Sequence, residues 1–182
     1  SHKKRSNNFK NIQIIFQDPF SSLNPKMKIK HILKDIFLIQ KISNKIQIKN
    51  EIKLILKNLN LPSDYEFLNS YPSQLSGGQL QRISIARSLL LKPKILICDE
   101  SVNMLDAYVK IEILDLLRKI QNKMDLTIIF ITHDLGIAKI FCNRLLVMNN
   151  GQIIEEGESS TIFSNPKNNI TKALVDSSLN LN

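Results

Sequence analysis

Tryptophan is missing from these 182 residues, the aromatic share is only 6%, and glycine occurs five times. So thin an aromatic supply excludes the stacking platforms that bind single-stranded nucleic acids. The formal charge of +9 needs another account. The lysines are scattered among Ile and Asn along most of the chain, which suits a solvated surface. No nucleic-acid partner is expected, and a basic face would also suit anionic lipid beside a membrane partner. Cysteine is scarce: Cys98 and Cys142 stand alone, which excludes a disulfide framework or a cysteine-rich metal site and suits a reducing, cytosolic setting. No segment approaches the roughly 18–20 apolar residues that a membrane span needs. The opening Ser1-His2-Lys3-Lys4-Arg5 has no apolar stretch behind it, so no signal peptide is expected. What is present is 43% apolar sequence, enough for a real core.

Two of the glycines are adjacent, in Leu75-Ser76-Gly77-Gly78-Gln79-Leu80-Gln81-Arg82. Leu80, Ile83, Ala86, Leu89 and Leu90 follow at helical spacing, so the doublet opens a helix. Glycine inside a helix costs about 0.8–1.0 kcal/mol relative to alanine. Close approach offsets that cost, because backbone N–H groups without Cβ atoms around them can press against an anion such as a phosphate. A capping box, with Ser76 as N-cap and Gln79 as its third helical partner, explains the flanks but not the glycines. The two uses share one geometry, and both stand.

That octapeptide also resembles the signature motif of ABC-superfamily ATPases, and four further segments resemble the family's motifs in the right order. Phe16-Gln17-Asp18-Pro19 is similar to the Q-loop, and Ile95-Leu96-Ile97-Cys98-Asp99-Glu100 to the Walker B strand with its catalytic glutamate. Ser101 to Asp106 resembles the D-loop, and Ile131-Thr132-His133-Asp134 the H-loop. The resemblance implies an α/β P-loop NTPase core with a parallel sheet and a helical subdomain. It also implies ATP and Mg²⁺ as ligands.

Periodicity fits that fold class. Asn11 to Phe16 reads as a strand running into a loop punctuated by Pro19 and Pro25, Ile29 to Gln40 and Ile46 to Leu59 as helices, and Leu61 to Gln74 as a loop carrying Pro62 and Pro72. Ile95 to Cys98 is apolar at every residue, which predicts a central parallel strand covered on both faces. A long amphipathic helix begins near Asp106, a second buried strand spans Thr127 to Ile131, and Ile137 to Phe141 is helical. Asn149-Asn150-Gly151 between Leu145–Met148 and Gln152–Glu155 signals a hairpin. The expected organisation is a core remnant with the Q-loop at 1–25, a helical subdomain at 26–91 ending in the signature helix, core at 92–160, and a tail at 161–182.

Asp99 and Glu100 end an apolar strand, the usual place for ligand-facing groups in parallel sheets. The resemblance implies that Asp99 orients Mg²⁺ through water and that Glu100 is the general base for the water attacking the γ-phosphate. It implies that Gln17 reaches the metal and that water. His133 would hydrogen-bond the γ-phosphate and hold Glu100 and the water in place, a linking task that suits neutral imidazole. Ser76, Gly77, Gly78 and Gln79 would clasp ATP bound on the opposite subunit. Asp106, by itself an N-cap, would also cross the dimer interface. Each site is then composite, shared by two ATPase subunits.

The phosphate loop G-x-x-x-x-G-K-[ST] is absent: none of Gly77, Gly78, Gly136, Gly151 and Gly157 is followed by lysine. Only sixteen residues precede Gln17, so the expectation is an N-terminally truncated domain, inactive in isolation. Phe16-Gln17-Asp18-Pro19-Phe20-Ser21-Ser22-Leu23-Asn24-Pro25 and Ile162-Phe163-Ser164-Asn165-Pro166 resemble the peptide and nickel importer branch. Ser101 and Asn103-Met104 depart toward the nickel type, and Asn168-Asn169-Ile170 departs from the peptide pattern. The leading expectation is the ATP-hydrolysing subunit of a peptide importer at the cytoplasmic face of the membrane. Its partners would be permease subunits and an extracytoplasmic binding protein. A nickel or metal-chelate importer stays open, as do an inactive fragment and a soluble ABC ATPase acting on nucleic acid.

Overall fold

The computed structural model describes residues 10–103 and 105–179; the basic opening and Met104, inside the D-loop-like segment, lie outside them. The chain divides after Ile131 into two compact units.

The first unit is built on three parallel strands, β1 (Ile12–Ile15), β2 (Ile95–Asp99) and β3 (Thr127–Ile131), in the order β1-β2-β3. Ile15 stands beside Cys98, and Asp99 beside Ile131. Helix α1 (Pro19–Ser22) is one turn, with proline in its first turn and Asp18 accepting the Phe20 N–H at 2.8 Å. In α2 (Ile29–Ile39), Ile29, Ile32, Leu33, Ile36 and Phe37 form one buried stripe at helical spacing. Asn44 caps α3 (Lys45–Asn58), which buries Ile52, Ile55 and Leu56. Next come α4 (Tyr65–Asn69), a 3₁₀ turn at Pro72–Gln74, α5 (Gly77–Leu89) and α6 (Ala107–Met124). Leu59, Leu80, Ile83, Leu96 and Ile113 are fully buried among these elements.

Three expectations need correction. The Leu61–Gln74 segment is not all loop, because Asp64 accepts the Phe67 N–H at 2.9 Å and nucleates α4. The proline-punctuated stretch after Gln17 likewise holds the turn α1, since proline is pre-set for a first helical position. The sheet is covered on one face only. Ile15, Leu96 and Cys98 are buried on one side, whereas Ile12, Ile14, Ile129 and Ile131 on the other are 43–47% exposed. The runs are apolar throughout, as a doubly covered strand requires, but these residues supply one layer of cover.

The second unit holds α7 (Leu135–Phe141), the antiparallel pair β4 (Arg144–Asn149) and β5 (Gln152–Glu158), α8 (Ser159–Ser164) and α9 (Asn169–Leu179). Asn150 and Gly151 both adopt positive φ, 48° and 76°, so the hairpin turns where the sequence places it. Neither Cys98 nor Cys142 is in a disulfide, and burial pushes the Cys142 thiol pKa up. Glu155 holds the approach to α9: its two oxygens accept the N–H groups of Lys167 (2.8 Å) and Asn168 (3.0 Å).

Two predictions follow from these packings. Leu96→Ala is expected to cost about 2–5 kcal/mol, and Ile129→Thr on the bare face less than about 1 kcal/mol; urea unfolding reads both. The backbone bonds from Lys167 and Asn168 lower the Glu155 pKa. A lowered carboxyl pKa stabilises above the unfolded value, about 4.3 for glutamate, and that stabilisation fades as pH falls through the folded value. Amide exchange at Lys167 and Asn168, corrected for intrinsic rates, should accelerate below that range, and Glu155→Gln should remove the pH dependence.

Candidate functional site

Parallel pairing puts the carboxyl ends of β1, β2 and β3 at one edge of the sheet, where open α/β sheets place ligands. Gln17 follows β1 by two residues and is exposed in a bend. Asp99 is the last residue of β2, on the bare face with Ile97 and next to Ile131. Glu100 follows at once. Register therefore brings Gln17, Asp99 and Glu100 to the ends of adjacent strands.

Glu100 has φ 48°, in the left-handed region. Lys41, Asn60, Lys92 and Asp125 do the same just beyond helix ends and Asn150 in the hairpin, so among the described non-glycine residues Glu100 alone does it away from a helix end or a hairpin turn. A non-glycine residue in such a conformation costs of order 1–3 kcal/mol. Two backbone bonds hold it there: its N–H donates to the Ile131 carbonyl (3.0 Å), and its carbonyl accepts from Asn103 (3.1 Å). The chain swerves at this point, which takes Glu100 out of the alternation that Asp99 obeys. Ser101 and Val102 behind it are buried and fix the swerve.

At the start of α5 the capping box is complete. Ser76 Oγ accepts the Gln79 N–H (3.3 Å), and Gln79 Oε1 accepts the Ser76 N–H (3.0 Å). Among the described residues no acceptor takes the Gly77 or Gly78 N–H. Two amides thus project from the positive end of a thirteen-residue helix, the arrangement that suits a phosphate oxygen. The glycines differ in what surrounds them. A Cβ on Gly77 would meet only Leu105 at 3.7 Å, whereas one on Gly78 would lie 2.9 Å from Val109 Cγ1. Asp106 caps α6, accepting the Val109 N–H at 3.0 Å.

In the second unit, His133 is exposed between two residues that shape its turn. Thr132 Oγ1 accepts the Asp134 N–H (2.9 Å), and Asp134 caps α7 through the Ile137 N–H (3.1 Å).

The structure thus gathers the sequence candidates into two groups in the first unit, Gln17 with Asp99 and Glu100, and Ser76 to Gln79 with Asp106. His133 stands in the second unit. Sequence reasoning missed Glu112, which bridges from α6 to Arg82 on α5, and Ser22, whose carbonyl accepts from Arg87 Nη1 at 2.9 Å. No local pattern links residues so far apart in the chain. The donor set at the strand ends is an amide and a carboxylate, all-oxygen chemistry that fits magnesium, which takes one or two protein ligands with phosphate and water. Among the described residues no group of three or more His, Cys, Asp or Glu converges as an all-protein metal cage.

Glu100 supplies the test of the strained turn. Glu100→Gly is expected to raise the unfolding free energy by up to about 1 kcal/mol, because glycine adopts this φ without strain. A loss of stability in thermal unfolding would contradict the strain.

Residues 1–103 match the family described as ABC transporter. The chain is 39% identical over 167 residues to the oligopeptide transport ATP-binding protein OppF of Haemophilus influenzae, covering 91% of this chain and 50% of the relative. It is likewise 39% identical over 166 residues to the dipeptide transport ATP-binding protein DppF of the same species, covering 91% and 50%. With OppF of Salmonella typhimurium the identity is 40% over 166 residues, covering 90% and 49%. The solved structure of cbiO1 from Clostridium perfringens, part of the ABC transporter complex cbiONQ, superposes with a TM-score of 0.78 at 28% identity, covering all of this chain and 67% of that one. The chain spans about half the length of the curated relatives it matches.

Proposed function

The chain belongs to the ABC transporter family, and from that premise we propose that it is the ATP-hydrolysing part of a peptide importer. The observation that carries this reading is the alignment of Gln17, Asp99 and Glu100 at the ends of adjacent parallel strands. In this reading Glu100 takes the proton of the attacking water, and its swerve out of strand alternation frees it for that task. Asp99 and Gln17 would hold magnesium, which would supply charge neutralisation on the phosphates. His133 donates to the terminal phosphate. The Gly77 and Gly78 amides and Ser76 grip the γ-phosphate presented by a second ATPase subunit, and the Asp106 loop faces that subunit.

The loop that cradles the β- and γ-phosphates is not in this sequence, so the reading assigns it to residues outside these 182. The bare, isoleucine-lined sheet face is where such residues would add the second layer of cover. Segment 26–91 serves as the helical subdomain that docks permease subunits, with 92–160 as core. Among the described residues no helix is long and apolar enough to cross a membrane, which fits a subunit seated on the cytoplasmic face. An extracytoplasmic binding protein delivers the cargo. The OppF and DppF relatives above are named for oligopeptides and dipeptides, which favours peptide over nickel.

In the assembled transporter, Glu100→Gln should keep nucleotide binding while hydrolysis falls by about 10²–10⁴-fold, the usual worth of a general base. Uptake of labelled oligopeptide should stop with it. Undiminished turnover removes Glu100 as the base, and nickel uptake without peptide uptake removes the cargo assignment.

A further inference from the structure

Helices α5 and α6 approach each other at two side-chain contacts, the first of them in their opening turns. The first contact is Gly78 against Val109, where a methyl on the glycine would stand 2.9 Å from Val109 Cγ1. Val109 is also the residue whose N–H is capped by Asp106. One turn further on, Arg82 Nη2 donates to Glu112 Oε2 at 2.5 Å. Steps of four on α5 and three on α6 keep both contacts on facing stripes. The Arg82 side chain is 12% exposed and that of Glu112 39%, so the arginine end of the pair is the one withdrawn from water. Removing one partner of a pair buried on one side leaves a charge poorly solvated, which makes the contact costly to break.

We propose that Arg82 and Val109, with Glu112, are positioning residues that lock the Ser76–Gln79 amides and the Asp106 loop into one rigid piece. A displacement of either loop then displaces the other. The glycine at 78 is required twice over: a phosphate approaches its amide from one side, and α6 occupies the other. The inference rests on the reading of those two loops as nucleotide-facing, but the two contacts themselves are independent of it. Two helices can touch at two points without transmitting anything, so the test must read transmission between caps.

Amide exchange on the full chain provides that reading. Asp106→Ala removes the cap of α6 and is expected to speed exchange several-fold at Gln79, on α5. In a Glu112→Gln background, which keeps the side-chain shape and removes the charge, the same Asp106→Ala change should leave Gln79 nearly unmoved. Gly78→Ala should lower the thermal midpoint, and Val109→Ala added to it should restore most of that loss. Gln79 exchange that ignores Asp106→Ala, or that responds equally in both backgrounds, overturns the coupling. A Val109→Ala change that adds its own loss to Gly78→Ala overturns the packing role of the glycine. If Gly78→Ala does not fold, the Asp106 pair still decides. None of these measurements contains nucleotide, so their failure is distinct from failure of the ATPase reading.

Discussion

The chemistry available to this chain depends on the parallel register of three short strands. Parallel strands share one direction, so their carboxyl ends gather at one edge, and residues far apart in the chain become neighbours there. Ile15 beside Cys98 and Asp99 beside Ile131 are the pairings that matter. A slip of one residue would move every side chain to the opposite face and bury Asp99 under the helices. The leucine and cysteine on the covered face oppose such a slip, because Leu96 and Cys98 are fully buried there.

Around that frame, the irregular features coincide with candidate chemistry. Glu100 sits in a backbone conformation that glutamate does not favour, between a regular strand and a buried turn that hold it in place. The glycine doublet is likewise a poor start for a helix, and the capping box of Ser76 and Gln79 compensates. In both places local preference yields to a required geometry, a pattern expected where a sequence serves function as well as folding.

Much of this was legible beforehand. The helices Ile29–Ile39 and Ala107–Met124, the hairpin at Asn150-Gly151 and the capped signature helix follow from periodicity, caps and turn residues, which are local signals. The helical turns α1 and α4 were lost because one turn leaves no periodicity to read, and only their aspartate caps betray them. Exposure of Ile129 and Ile131 could not be read from the sequence either, because an apolar strand looks the same whether one layer or two will cover it. The swerve at Glu100 has no compositional mark, and the approach of Val109 to Gly78 joins residues thirty-one apart.

The uncovered isoleucines carry a further consequence. Among the described residues the sheet leaves one apolar side open and no strand beyond β3, and such surfaces seed association between chains. Whatever packs on those isoleucines therefore guards the fold against self-association as well as completing its core.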